Sequence, residues 1–184
     1  MLVQLSGVPG SGKSSLARGL VRSADFVVVD TDVVKSALID GGVPVASAGR
    51  PTYLAALGLS GDLLAQGRRV LIDSPCRYRD LMEMGQAIAQ GAGVRYGFIE
   101  LWADDVSSLL PRIDARSPRV SQVASATVPV PGTEWEFGTA EVTLREWQAQ
   151  LVRPEDDWVR LDSMCPEPLI LARALDYLGE PPHH

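Results

Sequence analysis

The run Gly7-Val8-Pro9-Gly10-Ser11-Gly12-Lys13-Ser14 fits the pattern G-x-x-x-x-G-K-[ST] in full. More than any other stretch, it limits what this chain can fold into. The pattern works only where a strand ends and a helix begins, because wrapped backbone amides and a helix N-terminus must converge on phosphate oxygens. The flanks supply that context. Residues 2–6 form a short apolar run that reads as a strand, and residues 13–22 carry Leu16, Leu20 and Val21 at helical spacing. In such a loop Gly7, Pro9, Gly10, Ser11 and Gly12, with Ser15 just inside the helix, border the phosphates. Lys13 brings a mobile charge to the outer phosphates, and the Ser14 hydroxyl is an oxygen ligand suited to Mg²⁺.

Downstream, apolar β-rich runs alternate with helical periods. Residues 26–29, 69–73, 97–102 and 158–162 read as further strands. Between them, Thr31 or Asp32 caps a short helix carrying Val33, Val34, Ala37 and Leu38. Pro51 fits the first turn of a second helix that runs to about Gln66, and a third covers residues 80–90. Asp104 or Asp105 caps the next, which Pro111 should kink or interrupt. Residues 139–151 and 168–178 are helical. Five strands separated by helices predict an α/β fold with a parallel sheet covered on both faces. The length of 184 residues favours a single domain over 1–184. Residues 117–133 hold three prolines and no helical period, so a mobile lid segment is expected at about 112–133.

Composition removes several chemistries. The chain has no Asn, and its two histidines are the last two residues, so catalysis or metal binding through an internal His is not expected. Two cysteines are too few for a disulfide framework. No apolar run approaches membrane-spanning length, and the N-terminus lacks the charged region of a signal peptide, which makes a cytoplasmic location the expectation. A net charge of −6 disfavours binding nucleic acid through general electrostatics. Only two residues are lysines, Lys13 and Lys35, against 15 arginines.

The second strand runs into Asp30-Thr31-Asp32, at the strand edge where parallel sheets bind ligands. A carboxylate here, beside the phosphate loop, can accept the proton of an attacking hydroxyl; Asp32 and Asp30 compete for that role. Lys35 lies about one helical turn beyond Asp32 and shares its face. Asp73 closes an apolar strand and is placed to hold Mg²⁺. Arg77 and Arg79 follow within reach of an acceptor. Cys76 reads as a small filler, and the four tryptophans as core.

The phosphate loop, then Asp32-Val-Val-Lys35, Val70-Leu-Ile-Asp73 and Leu110-Pro-Arg112-Ile-Asp-Ala-Arg116 together resemble the small P-loop kinases of the AAA-type ATP-dependent group. That group includes polynucleotide 5′-hydroxyl kinase domains and chloramphenicol phosphotransferase-like enzymes. The resemblance implies a P-loop three-layer sandwich with strand order 2-3-1-4-5, ATP and Mg²⁺ as cofactors, and Asp32 as the base. It also implies that Arg112 and Arg116 act on the triphosphate from a lid, with Arg119 ranked behind them. Lys35 stands where the group usually has Arg, which weakens a bidentate contact and tells against a polynucleotide acceptor. The expected activity is transfer of the γ-phosphate of ATP to a hydroxyl of a small molecule bound by Asp32, Lys35 and Arg77. A polynucleotide 5′-hydroxyl kinase, a nucleotide kinase and a slow regulatory NTPase are the alternatives.

Overall fold

The register of β1 explains why the phosphate loop sits centrally. In the computed structural model, which describes residues 1–115 and 139–180, β1 (Leu2–Ser6) pairs in parallel with β3 (Arg69–Asp73) on one side and β4 (Tyr96–Trp102) on the other. Outside β3 lies β2 (Phe26–Asp30), and outside β4 lies β5 (Trp158–Asp162). The order is therefore β2-β3-β1-β4-β5, all parallel, as expected. Parallel pairing brings every strand's C-terminal end to one edge. Asp30 stands in register with Asp73, and Leu5 with Asp73 on the other side.

Strand alternation splits the core into two layers. Val3, Leu5, Leu71, Ile99 and Leu101 pack against α1 (Lys13–Ala24) and α7 (Glu167–Leu178) through Leu16, Leu20, Ile170 and Leu175. On the opposite face Leu2, Val70 and Ile72 meet Tyr53, Ala56, Leu57 and Leu64 of α3 (Gly49–Ala65), and Leu81 and Ala89 of α4 (Arg79–Gly91). A third cluster of Val8, Val106, Leu109, Ile113 and Leu144 joins the phosphate loop to α5 (Leu110–Asp114) and α6 (Ala140–Ala149).

One local expectation is corrected. The cap of α2 (Thr31–Asp40) is Asp30, not Thr31 or Asp32: its side chain accepts from the amides of Asp32 at 2.8 Å and Val33 at 3.4 Å. The helix expected after Asp104 or Asp105 is interrupted at Pro111: a 3₁₀ turn (Val106–Leu109) capped by Asp105 gives way to α5, and Pro111 lies in the first turn of α5, where its missing N–H has no partner to lose. Pro51 lies in the first turn of α3, as expected. Of the lid expected at about 112–133, only 112–115 are described; Arg116, Arg119 and Trp135 lie outside the described residues. Among the described residues no helix is long and apolar enough to cross a membrane.

Candidate active site

A cleft of about 940 Å³ opens along the C-terminal edge of the sheet, over the phosphate loop. Its lining includes Pro9, Gly10, Ser11, Gly12, Lys13, Ser14 and Ser15, together with Asp32, Lys35, Asp73, Arg77 and Arg112. Residues spread over a hundred positions of sequence thus reach one cavity, because the parallel strands all release their loops at this edge. Of the phosphate-loop residues, Gly7 does not line the cleft. At φ +147°, a Cβ on Gly7 would stand 2.7 Å from the Leu101 carbonyl oxygen and 2.6 Å from Ser11 Oγ. Gly7 therefore lets the loop lie flat on β4. Gly12, at φ +94° with open space around it, is glycine for backbone conformation alone.

The loop is internally braced. Lys13 Nζ donates to the carbonyls of Gly7 at 2.8 Å and Val8 at 3.2 Å, folding back over its own turn. Ser14 Oγ donates to Asp73 Oδ2 at 2.7 Å, joining the first turn of α1 to the end of β3. The Asp73 carboxyl is 5% exposed, and burial lifts its pKa above the usual carboxylate value. Lys13 and the Ser14 bond pull it back, while the charges of Asp30 and Asp32 add to the rise. A hydroxyl and a carboxylate side by side, facing a phosphate loop, are hard oxygen donors that fit Mg²⁺.

At the α2 side of the cleft, Asp32 and Lys35 share one helix face and both reach the cavity. Asp30 is engaged as the cap, and Thr31 Oγ1 donates to the Asp73 carbonyl at 2.8 Å, pinning the start of α2 to β3. Arg77 lies opposite, its guanidinium 5.0 Å from the ring centre of Trp147. Arg79 is exposed at the start of α4 and does not line the cleft. At the α7 side, Arg112 Nη1 donates to the Ser163 carbonyl at 2.8 Å, bringing α5 against the β5–α7 loop, where Cys165 also borders the cleft.

A family model described as AAA domain (AAA_33) matches residues 2–129. The chain belongs to that family. Its fold is shared with a sugar kinase from Janibacter sp. HTCC2649, at 16% identity and TM-score 0.67, covering 97% of this chain and 94% of that one. A gluconokinase from Sinorhizobium meliloti 1021 aligns at 21% identity and TM-score 0.64, over 96% and 90% of the two chains. An APS kinase from Mycobacterium tuberculosis, solved with AMPPNP and APS, aligns at 18% identity and TM-score 0.63, over 97% of each. No curated protein matches the chain. The chain thus combines membership of the AAA_33 family with a fold that several small kinases share.

Sequence reasoning missed one group on the cleft wall and several beyond it. Trp147 was expected in the core, yet it is half-buried and forms cleft wall. Trp102 and Trp158 are half-buried as well and stack on Arg153 and Arg160, whose guanidiniums pair with the fully buried Glu100. Gln4, also buried, donates to Ser74 Oγ at 3.2 Å and accepts from the Tyr96 hydroxyl, holding the turn after β3. Its position on a strand face gave the signal: a polar residue alternating with Val3 and Leu5 must find a buried partner.

Proposed function

We propose that the protein is an ATP- and Mg²⁺-dependent phosphotransferase that moves the γ-phosphate of ATP to a hydroxyl of a small molecule. The observation that carries this reading is the convergence of three sets on one cleft: the phosphate loop, the Ser14–Asp73 pair, and Asp32 with Lys35 and Arg77 at the far side. Such a transfer needs positioning and charge more than covalent chemistry from the protein, which suits a chain of this size.

In this reading the amides of residues 7–14 and Lys13 bind the triphosphate, and Ser15 and Arg112 support it. Lys13 leaves the Gly7 and Val8 carbonyls for phosphate oxygens. Ser14 and Asp73 hold Mg²⁺, which when bound neutralises phosphate charge. Asp32 takes the proton of the acceptor hydroxyl as its oxygen bonds to the γ-phosphorus, and the bond to the bridging oxygen of ADP breaks. Asp32 is preferred to Asp30 because Asp30 is occupied with two amides of α2. Arg112, joined by Arg116 from a lid at about 112–133, balances charge on the transferring group. The whole of 1–184 serves as one domain. The neighbours in fold, a sugar kinase, a gluconokinase and an APS kinase, support a small-molecule acceptor over a polynucleotide.

The test is acceptor-stimulated ADP release with Mg²⁺ and ATP over sugars, sugar acids, nucleosides, antibiotics and 5′-hydroxyl oligonucleotides. At least one small acceptor should exceed the water-only rate, and Lys13→Ala should abolish the gain. If every acceptor stays at the water rate, the phosphotransferase reading fails.

A further inference from the structure

Away from the cleft, one cluster holds more positive charge than the fold requires. Glu100 on β4 is fully buried, and two arginines share it: Arg153 Nε donates to Oε1 at 2.8 Å and Arg160 Nε to Oε2 at 2.7 Å. The sheet sets this up. Glu100 stands in register with Arg160 on β5, and strand alternation puts Trp102 and Trp158 on the same face. Arg153 reaches in from the stretch between α6 and β5. Its guanidinium lies 5.6 and 5.5 Å from the ring centres of Trp102 and Trp158, and that of Arg160 lies 4.2 and 5.8 Å from the same two rings. The guanidiniums therefore sit side by side. Neither they nor Glu100, Trp102 and Trp158 line the cleft.

A buried carboxylate needs one cation, and a single arginine fork would occupy both of its oxygens. Here each oxygen takes one N–H from a different arginine. Each guanidinium thus gives only its Nε–H to Glu100 and keeps both Nη groups, for which the described residues supply no hydrogen-bond partner. One positive charge is left in excess. Neighbouring acids do not cancel it: Asp104 accepts from the Trp102 indole at 3.0 Å, and Asp157 pairs with Arg95. Glu155 and Asp156 follow closely on Arg153 yet pair with neither arginine. At this last strand of the sheet the side chains of Arg153 and Arg160 remain 29% and 41% exposed. Two guanidiniums fixed by a buried anion and two indole rings lose little freedom on binding, and their open edges only donate. Such a set matches a group that only accepts and carries more than one negative charge.

We propose that Arg153 and Arg160 form a second anion site, outside the cleft, for a phosphate or sulfate group, either free or borne by a small organic molecule. Glu100 holds the pair in place. The site involves neither Asp32 nor turnover, so it stands or falls apart from the phosphotransferase reading.

The test is ¹H–¹⁵N NMR on the full chain, with Mg²⁺ and a non-hydrolysable ATP analogue present to occupy the phosphate loop. Trp102→Phe and Trp158→Phe assign the two indole N–H signals. The titrants are sodium sulfate, sodium phosphate, glycerol 2-phosphate and, at matched ionic strength, sodium chloride. Sulfate or phosphate should move both signals saturably, half-complete at about 1 mM or below, and chloride should not. Inorganic ions binding alone would mark a free ion as the ligand; glycerol 2-phosphate binding as well or better would mark a phosphate ester, and either supports the site. Arg153→Met and Arg160→Met should each weaken binding about tenfold or more, and Lys at either position less, since the charge stays and the fork is lost. The Lys variants keep two cations beside Glu100, so weaker binding at an unchanged melting temperature reads the site rather than the fold. A response to chloride equal to that for sulfate, or no saturation below about 20 mM, would overturn the proposal. So would binding that survives Arg153→Met and Arg160→Met but is lost in Lys13→Ala, which would place the anion in the phosphate loop.

Discussion

Ser14 and Asp73, 59 residues apart, are joined by a 2.7 Å hydrogen bond from the first turn of α1 to the end of β3. The bond sets a hydroxyl and a carboxylate side by side in a buried, acid-rich corner, the pair that the proposed function assigns to Mg²⁺. Asp73 faces Asp30 in register across β2 and β3, so the sheet itself concentrates the negative charge that a cation would balance.

That arrangement costs the free protein stability. The Asp73 carboxyl holds its proton more tightly folded than unfolded, chiefly through burial. The unfavourable contribution is therefore absent below the unfolded value and grows as pH rises through the higher folded value. Asp73→Asn removes the charge and keeps an oxygen for Ser14. Its melting temperature at neutral pH should exceed wild type by about 2–4 °C for each kcal/mol relieved, while ADP release falls. Thermal scans at acid and neutral pH check the sign: the gain should shrink as pH drops, and a lower melting temperature at neutral pH would contradict the account.

Asp32→Asn keeps the shape of the α2 face and removes the proton acceptor. Phosphorylation of a hydroxyl acceptor should fall by about 10²-fold or more, with the affinity for a non-hydrolysable ATP analogue near wild type. Turnover that survives the change would point to an acceptor needing no base, such as a phosphate.

Gly7 and Gly12 separate two reasons for glycine in one loop. Gly7→Ala drives a Cβ against the Leu101 carbonyl at 2.7 Å, a backbone atom that cannot step aside. It should cost about 1–3 kcal/mol in urea unfolding. Gly12→Ala meets no neighbour and bears only the strain of its φ of +94°, about 1–2 kcal/mol. A larger loss at Gly12 than at Gly7 would refute this assignment.

The two cysteines should differ in reactivity. Cys76 is 1% exposed, and burial, with the Glu100 charge adding, pushes its thiol up to about 12. Cys165 is half-buried on the cleft wall. A maleimide followed by peptide mass analysis should mark Cys165 first, and Mg²⁺ with an ATP analogue should slow it. Absence of protection would mean that the nucleotide does not extend to the β5–α7 loop.

Much of this was legible in the chain because it is written locally. The phosphate loop is eight consecutive residues, and the short apolar run before it and the helical period after it name the flanking strand and helix. Five β-rich runs alternating with helical ones, and the family resemblance, sufficed for a parallel sheet of order 2-3-1-4-5. The same local patterns placed Lys13, Ser14, Asp32, Lys35, Asp73 and Arg77 near the ends of strands or the starts of helices, where a cleft was expected, and the resemblance added Arg112.

What needed the tertiary structure was every choice between equivalent neighbours. Asp30, Thr31 and Asp32 are all capping residue types; the twist of β2 into α2 makes Asp30 the cap and leaves Asp32 on the cleft. Gly7 and Gly12 are alike in the motif, and only the approach of Leu101 from β4 separates them. Trp147 reads as core by composition, yet its partner is Arg77, 70 positions earlier, and no periodicity encodes that meeting. The sequence determined which chemical groups this protein has to work with and the strand edge where they gather. Their pairing, burial and charge depend on contacts between residues distant in the chain, and those exist only once the sheet has formed.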